Sequence, residues 1–402
     1  MPMWRRVRPR TSGHEDRLSA LHDDLILLIV SRLDTRTALS MAVLAGRWVR
    51  IPRKLSALDF RVSDILPPEY ERTIALRQRN IPHDATLAGA LDSLKARCEI
   101  DTIRSFANGI TSFLEADSGH DGRVKTLHLE FFQTYNSICV DRLINAAVGA
   151  WGVEDLEVVV RQSSGYDQTR TYNFPHNCLN LPSCLRRLTL GKYCALPPLH
   201  NYNTLTKLVL RDMSASTPVN MYERVFRDCI GLQVLHLTSC CCALTTLANL
   251  VIRFTGRRRW IRASLADVPS NWDISWTHGL LMASIFLEVL HIHVAHSETE
   301  PDYLRGMNWY KSRNELRHHQ LKELVVIGFM QRNIWLLKYV VRVCTSLQHI
   351  VLLKDGHVRY IGLWDWRMVG QQTCPWSDDE KMVVRRMMKM FGLRPHPELI
   401  SG

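Results

Sequence analysis

Residues 185–212, LRRLTLGKYCALPPLHNYNTLTKLVLRD, hold one six-residue pattern twice, L-x-x-L-x-L, beginning at Leu185 and again at Leu205. Its last two apolar positions alternate with a polar or exposed one, the period of a half-buried strand. With Val or Ile allowed for Leu, the pattern occurs nine times after residue 120: VKTLHL from Val124, VEDLEV from Val153, LRRLTL, LTKLVL, LQVLHL from Leu232, LANLVI from Leu247, LEVLHI from Leu287, LKELVV from Leu321 and LQHIVL from Leu347. Several intervening stretches place apolar residues at helical spacing, as in 141–151, 219–229 and 334–344. Two of them end alike, in RDCIGL (227–232) and RVCTSL (342–347): helix, cysteine, two turn residues, next strand. One such motif says little. Nine in order, with a recurring helical return, predict an array whose units bury their apolar faces only against their neighbours. The expected fold class is α/β, with parallel strands on a concave face and helices outside. One step is anomalous, because Leu247 follows Leu232 by only 15 residues, fewer than an up-and-back unit needs.

Ahead of the array, residues 17–51 read RLSALHDDLILLIVSRLDTRTALSMAVLAGRWVRI. Asp23 and Asp24 suit the first turn of a helix, where a carboxylate meets the positive end of the dipole. Leu25, Leu28, Ile29 and Leu33 then recur at helical spacing, and Asp34 and Thr35 are good N-caps for a second helix bearing Leu39, Ala42, Val43 and Gly46. Ile51-Pro52 ends the pattern. So short a module cannot bury enough surface to stand alone, and its apolar face exceeds what one small core can use. At the other end, Ser377 and Glu380 form a capping box before KMVVRRMMKMF. The expected organisation is a basic disordered tail (1–17), a helical module (18–55), a helical linker and array cap (56–120), the array (121–360) and a C-terminal helical cap (361–402).

Residues 18–51 resemble the F-box as it occurs in plant F-box/leucine-rich-repeat proteins, and the array resembles the irregular leucine-rich-repeat solenoid that follows it there. The resemblance is carried in order by Leu21, Leu25, Leu28, Ile29, Leu33, Asp34, Thr37, Ala38, Val43, Leu44, Arg47 and Trp48. Two positions depart: His22 replaces a proline, and Ala45-Gly46 replace a serine and a basic residue. The stretch from Leu321 to about Arg394 resembles an FBD-like C-terminal region. In similar grass proteins the region after Leu232 looks longer, which implies missing repeat material between about residues 243 and 266.

The resemblance implies a short all-helical F-box module joined to a leucine-rich-repeat solenoid, acting as the substrate-recognition subunit of an SCF-type ubiquitin ligase. Leu21, Leu25, Leu28, Ile29, Leu33, Leu39, Val43, Leu44, Arg47 and Trp48 would then meet a Skp-type adaptor and, through it, a cullin. The concave strands would present Lys125, His128, Arg187, Lys207, Arg211, His236, His291 and Lys322 to a target protein. That basic set suggests an acidic or phosphorylated target. The alternative is a leucine-rich-repeat interaction module whose weakened F-box acts outside the ligase.

Other classes lack their chemistry. Apolar runs such as Leu25–Val30 and Leu280–Leu287 are too short to cross a bilayer, so no membrane contact is expected. The eleven cysteines form no framework and lie beside leucines, as at Cys184, Cys229 and Cys344, which fits core packing in the reducing cytoplasm or nucleus. A net charge of +12 is spread along the chain and accompanies no binding motif, which argues against nucleic acid. His291, His293 and His296 lack a partner to complete a metal set, His318-His319 reads as a solvated loop, and Cys240–Cys242 cannot all grip one ion. Phosphate-loop, dinucleotide and nucleophile-elbow motifs are absent. The expectation is a non-catalytic subunit with no cofactor.

Overall fold

The structure, a computed structural model, describes residues 21–41, 51–80, 85–115, 124–134, 137–163, 171–175, 184–196, 204–213, 229, 231–240, 260–268, 277, 280–281, 284–295, 317–330, 333–354, 356–361, 365–369, 376–390 and 398–401. Its helices are α1 (Asp23–Val30), α2 (Thr35–Ser40), α3 (Pro68–Asn80), α4 (Ala85–Glu115), α5 (Ile138–Gly149), α6 (Ile334–Val343) and α7 (Asp378–Met390). The main sheet is built from β1 (Ala57–Arg61), β2 (Thr126–Phe132), β3 (Asp155–Arg161), β5 (Arg187–Gly191), β7 (Lys207–Arg211), β8 (Val234–Thr238), β9 (Arg262–Val268), β10 (Val289–Val294), β11 (Glu323–Ile327), β12 (His349–Leu353) and β15 (Glu398–Ser401). Two small sheets join β4 (Tyr172–Asn173) to β6 (Cys194–Ala195), and β13 (His357–Ile361) to β14 (Asp365–Val369).

All eleven strands of the main sheet run parallel, and their spatial order is their chain order. Parallel neighbours need a return segment; α5 supplies it between β2 and β3, and α6 between β11 and β12. This is a single-file, solenoid-like arrangement in which each strand meets only the units before and after it. Leu127, Leu156, Leu188, Leu208, Leu235, Ala263, Leu290, Leu324 and Ile350 occupy one register row and are fully buried. Each large side chain in such a row contributes roughly 1.5–3 kcal/mol.

A second ladder runs along the turns that enter the strands. Lys125 N–H donates to Ser56 O, and the same step repeats through Glu154, Arg186, Thr206, Gln233, Ile261, Glu288 and Lys322 to Gln348, at 2.7–2.9 Å throughout. Strand exits repeat as well. Lys192, Asp212, Ser239 and Asp267 all take left-handed backbone with φ between 48° and 55°, and Gly328 does so at 74°. Glycine is needed at 328, where a Cβ would run into the Val294 carbonyl.

Eight of the nine expected motifs enter strands of this sheet, and the ninth, from Leu247, lies outside the described residues. The ladder does not break there. Trp260, Ala263 and Leu265 fill the three apolar positions and are buried, and β9 pairs with both β8 and β10. Trp260 stands 28 residues after Leu232 and 27 before Leu287, so the 15-residue anomaly came from the motif choice. The pattern missed this strand because its first two apolar positions hold tryptophan and alanine rather than Leu, Val or Ile. The sheet also begins earlier than the motif run, at β1, where LSALDF repeats the pattern with phenylalanine last. At the far end the expected helical cap is mixed: α7 is present, but β15 closes the sheet. Its capping box forms, with Ser377 N–H on Glu380 Oε2 at 2.9 Å and Glu380 N–H on Ser377 Oγ at 3.2 Å.

The two N-terminal helices are fastened to the first strand. Ile26, Val30 and Ala38 are buried in the same core as Leu58 and Leu127. The Asp59 amide donates to the Thr35 hydroxyl at 2.7 Å in a buried setting. An edge strand otherwise presents unpaired amides. Thr35→Val should leave that amide without a partner and destabilise the chain by about 1–3 kcal/mol in chemical denaturation, with faster hydrogen exchange at Asp59. Unchanged exchange there would show that the bond contributes nothing.

Candidate functional site

Two surfaces stand out, one on the N-terminal helices and one on the open face of the sheet. His22 caps α1 from extended backbone, its Nδ1 accepting the Asp24 amide at 3.5 Å. Asp23 and Asp24 fill the first turn as the dipole prefers. Asp34 caps α2, accepting the Thr37 amide at 2.9 Å and its hydroxyl at 2.7 Å, and these bonds hold its carboxyl below the usual range.

The helical period then divides α1 into two faces. Ile26 and Val30 face inward with no exposure, whereas Leu25, Leu28 and Ile29 are 49%, 56% and 40% exposed and Leu33, just beyond the helix, is 37% exposed. Positions 25, 28 and 29 lie on one face at helical spacing, and Leu33 follows just past the helix end. Four large aliphatic side chains held in water on so short a segment form a contiguous apolar patch of the kind that marks a docking surface. Of the other expected adaptor-facing residues, Leu21 and Leu39 are half-buried. Val43, Leu44, Arg47 and Trp48 lie outside the described residues.

On the sheet, residues between the buried leucines point to the open face. One register row runs Asp59, His128, Glu157, Thr189, Val209, His236, Ser264, His291, Val325 and Val351. The expected target-facing residues are scattered across this geometry. His128, His236 and His291 stand in the row, the first two buried. Arg187 and Lys207 lie two positions earlier on the same face, and Arg211 two positions later. Lys125 and Lys322 belong instead to the entry-turn ladder at the sheet's edge.

Nor is the face uniformly basic. His128 stands between two carboxylates, with Nε2 3.6 Å from Asp59 and Nδ1 3.3 Å from Glu157. Arg211 reaches across β5 to Glu157 at 2.9 Å, Arg61 holds Asp59 at 2.7 Å and Arg161 meets Glu130 at 3.1 Å. Arg211, expected to meet a target, is thus an interior ion-pair partner. Alternation along one strand shows which face a residue takes; it does not show which charge lies opposite on a strand remote in sequence.

The histidines and cysteines also sort by burial. His291 pairs with Glu323 at 2.7 Å and His293 with Asp267 at 3.1 Å. These partners lie on opposite neighbouring strands, and no group of three His, Cys, Asp or Glu side chains among the described residues could hold a metal ion. His318 corrects the solvated-loop expectation, because it is buried. Its Nε2 meets the Ser284 carbonyl at 2.9 Å and its Nδ1 accepts the Leu321 amide at 3.2 Å. His319 is the solvent-facing member of the pair and meets the Thr345 hydroxyl. Cys229 and Cys344 are buried, Cys344 at the end of α6, and burial pushes the Cys344 thiol up to about 12. Cys184, expected to pack with them, is exposed. Among the described residues no helix is long and apolar enough to cross a membrane.

No family model matches the chain. Over 228 residues it is 26% identical to an F-box protein of Arabidopsis thaliana, a match covering 56% of this chain and 40% of that protein. The similarity is distant and partial, and it supports an F-box protein of plant type.

Two substitutions test the electrostatics. Glu157→Gln removes the carboxylate from a nearly buried guanidinium and should cost roughly 3 kcal/mol in urea unfolding. Lys322→Gln, which breaks an exposed pair with Glu288, should cost under about 1 kcal/mol. Equal effects would sink the distinction. Burial holds His318 below the ordinary imidazole range, so the folded chain takes up its proton less readily than the unfolded one. Its stabilising contribution is complete above pH about 6.5 and shrinks as pH falls through that value. The thermal midpoint should drop between pH 7.5 and 5.5, and His318→Gln should lessen the drop.

Proposed function

We propose that this chain is a substrate-recognition subunit of an SCF-type cullin ubiquitin ligase. The observation that carries the reading is the exposed set of Leu25, Leu28 and Ile29 on a helix whose other face is anchored in the core, with exposed Leu33 just beyond its end. A chain that keeps four large aliphatic side chains in water forgoes roughly 25 cal/mol for each Å² it could have buried. Removing that area from water supplies the affinity for a partner. The similarity to a plant F-box protein supports a Skp-type adaptor as that partner, and in this reading the adaptor joins the chain to a cullin.

In this reading residues 18–55 act as the F-box and the single-file sheet as a leucine-rich-repeat solenoid that holds a target protein. Working in the cytoplasm or nucleus, the chain performs no covalent step. It raises the target's effective concentration beside a charged conjugating enzyme. His22 supports retained docking despite the lost proline, since its ring caps α1 where a proline side chain offers no acceptor.

Calorimetry with a purified Skp adaptor tests the proposal. The unaltered chain should bind, and Leu28→Asp should weaken binding by at least about 100-fold, because it removes apolar contact and buries a charge. Leu28 is mostly exposed, so the variant should keep its circular dichroism and melting temperature. Absence of binding by the folded native chain, or equal binding by the variant, would defeat the assignment.

A further inference from the structure

We propose that one row of the open sheet face docks a short acidic segment of a partner protein, with cations spaced across strands and aliphatic side chains between them. This rests on the reading of the sheet as the target-holding part. Two positions before the central row, the register runs Asp155, Arg187, Lys207, Val234, Arg262, Val289 and Glu323 on successive strands. Adjacent strands are about 4.8 Å apart, so Arg187 and Arg262 stand roughly 14 Å apart, with Lys207 beside the first.

The row differs from its neighbours in where its charge is spent. Arg61, Arg161 and Arg211 are engaged by Asp59, Glu130 and Glu157. Arg187 and Arg262 are exposed, and no carboxylate among the described residues is within ion-pair distance of Arg262. Asp155 lies 3.4 Å from Arg187, whose side chain remains 55% exposed, a contact weak enough to yield to a competing anion.

Shape and chemistry select the occupant. Val234 separates Lys207 from Arg262 in the row and sets an aliphatic side chain between the two cations. An extended peptide advances about 3.3 Å per residue with alternate side chains on one face, so carboxylates four residues apart with an apolar residue midway span roughly 13 Å and match the Arg187–Arg262 separation. Nucleic acid fits poorly, because Asp155 and Glu323 flank the cationic stretch of the row and would repel a phosphate backbone running past it.

The probe is a fluorescein-labelled peptide containing Glu-Glu-Leu-Glu-Glu, titrated with the full chain in fluorescence anisotropy beside its Gln-Gln-Leu-Gln-Gln counterpart and a thymidine oligonucleotide of equal charge. The acidic peptide should bind, weaken as salt rises, and lose about tenfold in affinity on Arg187→Gln/Arg262→Gln. Exposed Arg104→Gln/Arg142→Gln on α4 and α5 should change nothing. No binding, equal binding of the glutamine peptide, or indifference to the row variant would overturn the proposal. Tighter oligonucleotide binding lost in the same variant would overturn it too, in favour of nucleic acid. Adaptor calorimetry is read on a different surface, so the two proposals fail independently.

Discussion

The unbroken parallel ladder from Ala57 to Ser401 is the constraint that the rest of the molecule obeys. Each unit contributes one strand, and its leucines are covered by the strands before and after and by returns such as α5 and α6. Register therefore repeats from unit to unit, because a slip of one residue would turn a leucine row outward and a polar row inward. The entry-turn bonds reinforce this by fixing the carbonyl of each turn to the amide of the next. Units of uneven length are tolerated because spare residues can lie in the returns.

That same regularity explains why the open face carries both interior and surface chemistry. Side chains in one row stand about 4.8 Å apart, close enough for Arg211 to reach Glu157 across an intervening strand and for His128 to lie between two carboxylates. Pairs of this kind are costly to break and contribute to the array itself. Two positions earlier, the guanidiniums of Arg187 and Arg262 remain in solvent, where they can meet another molecule. Surplus positive charge in the sequence does not distinguish these two uses; burial does.

The N-terminal helices belong to the array's first rung. Ile26, Val30 and Ala38 share its core and Thr35 occupies the edge of β1, so α1 can leave its other face apolar and exposed without coming loose. In the proposed function, a partner gripping Leu25, Leu28, Ile29 and Leu33 is held in a fixed relation to the first strands.

Local pattern alone determined a good deal. The alternation in LRRLTL and its kin, the helical spacing of Leu25, Leu28, Ile29 and Leu33, and the capping residues Asp34, Ser377 and Glu380 follow from backbone geometry within a few residues. Such geometry is fixed by covalent structure wherever the segment sits. Tertiary structure decided the rest. It placed Trp260 and Ala263 in a leucine's rung, buried His318 between Ser284 and Leu321, recruited β1 and β15 to the sheet, and neutralised Arg211 with a carboxylate 54 residues away. Those outcomes depend on which remote strands become neighbours and in what register, and neither a single strand's period nor its composition contains that information.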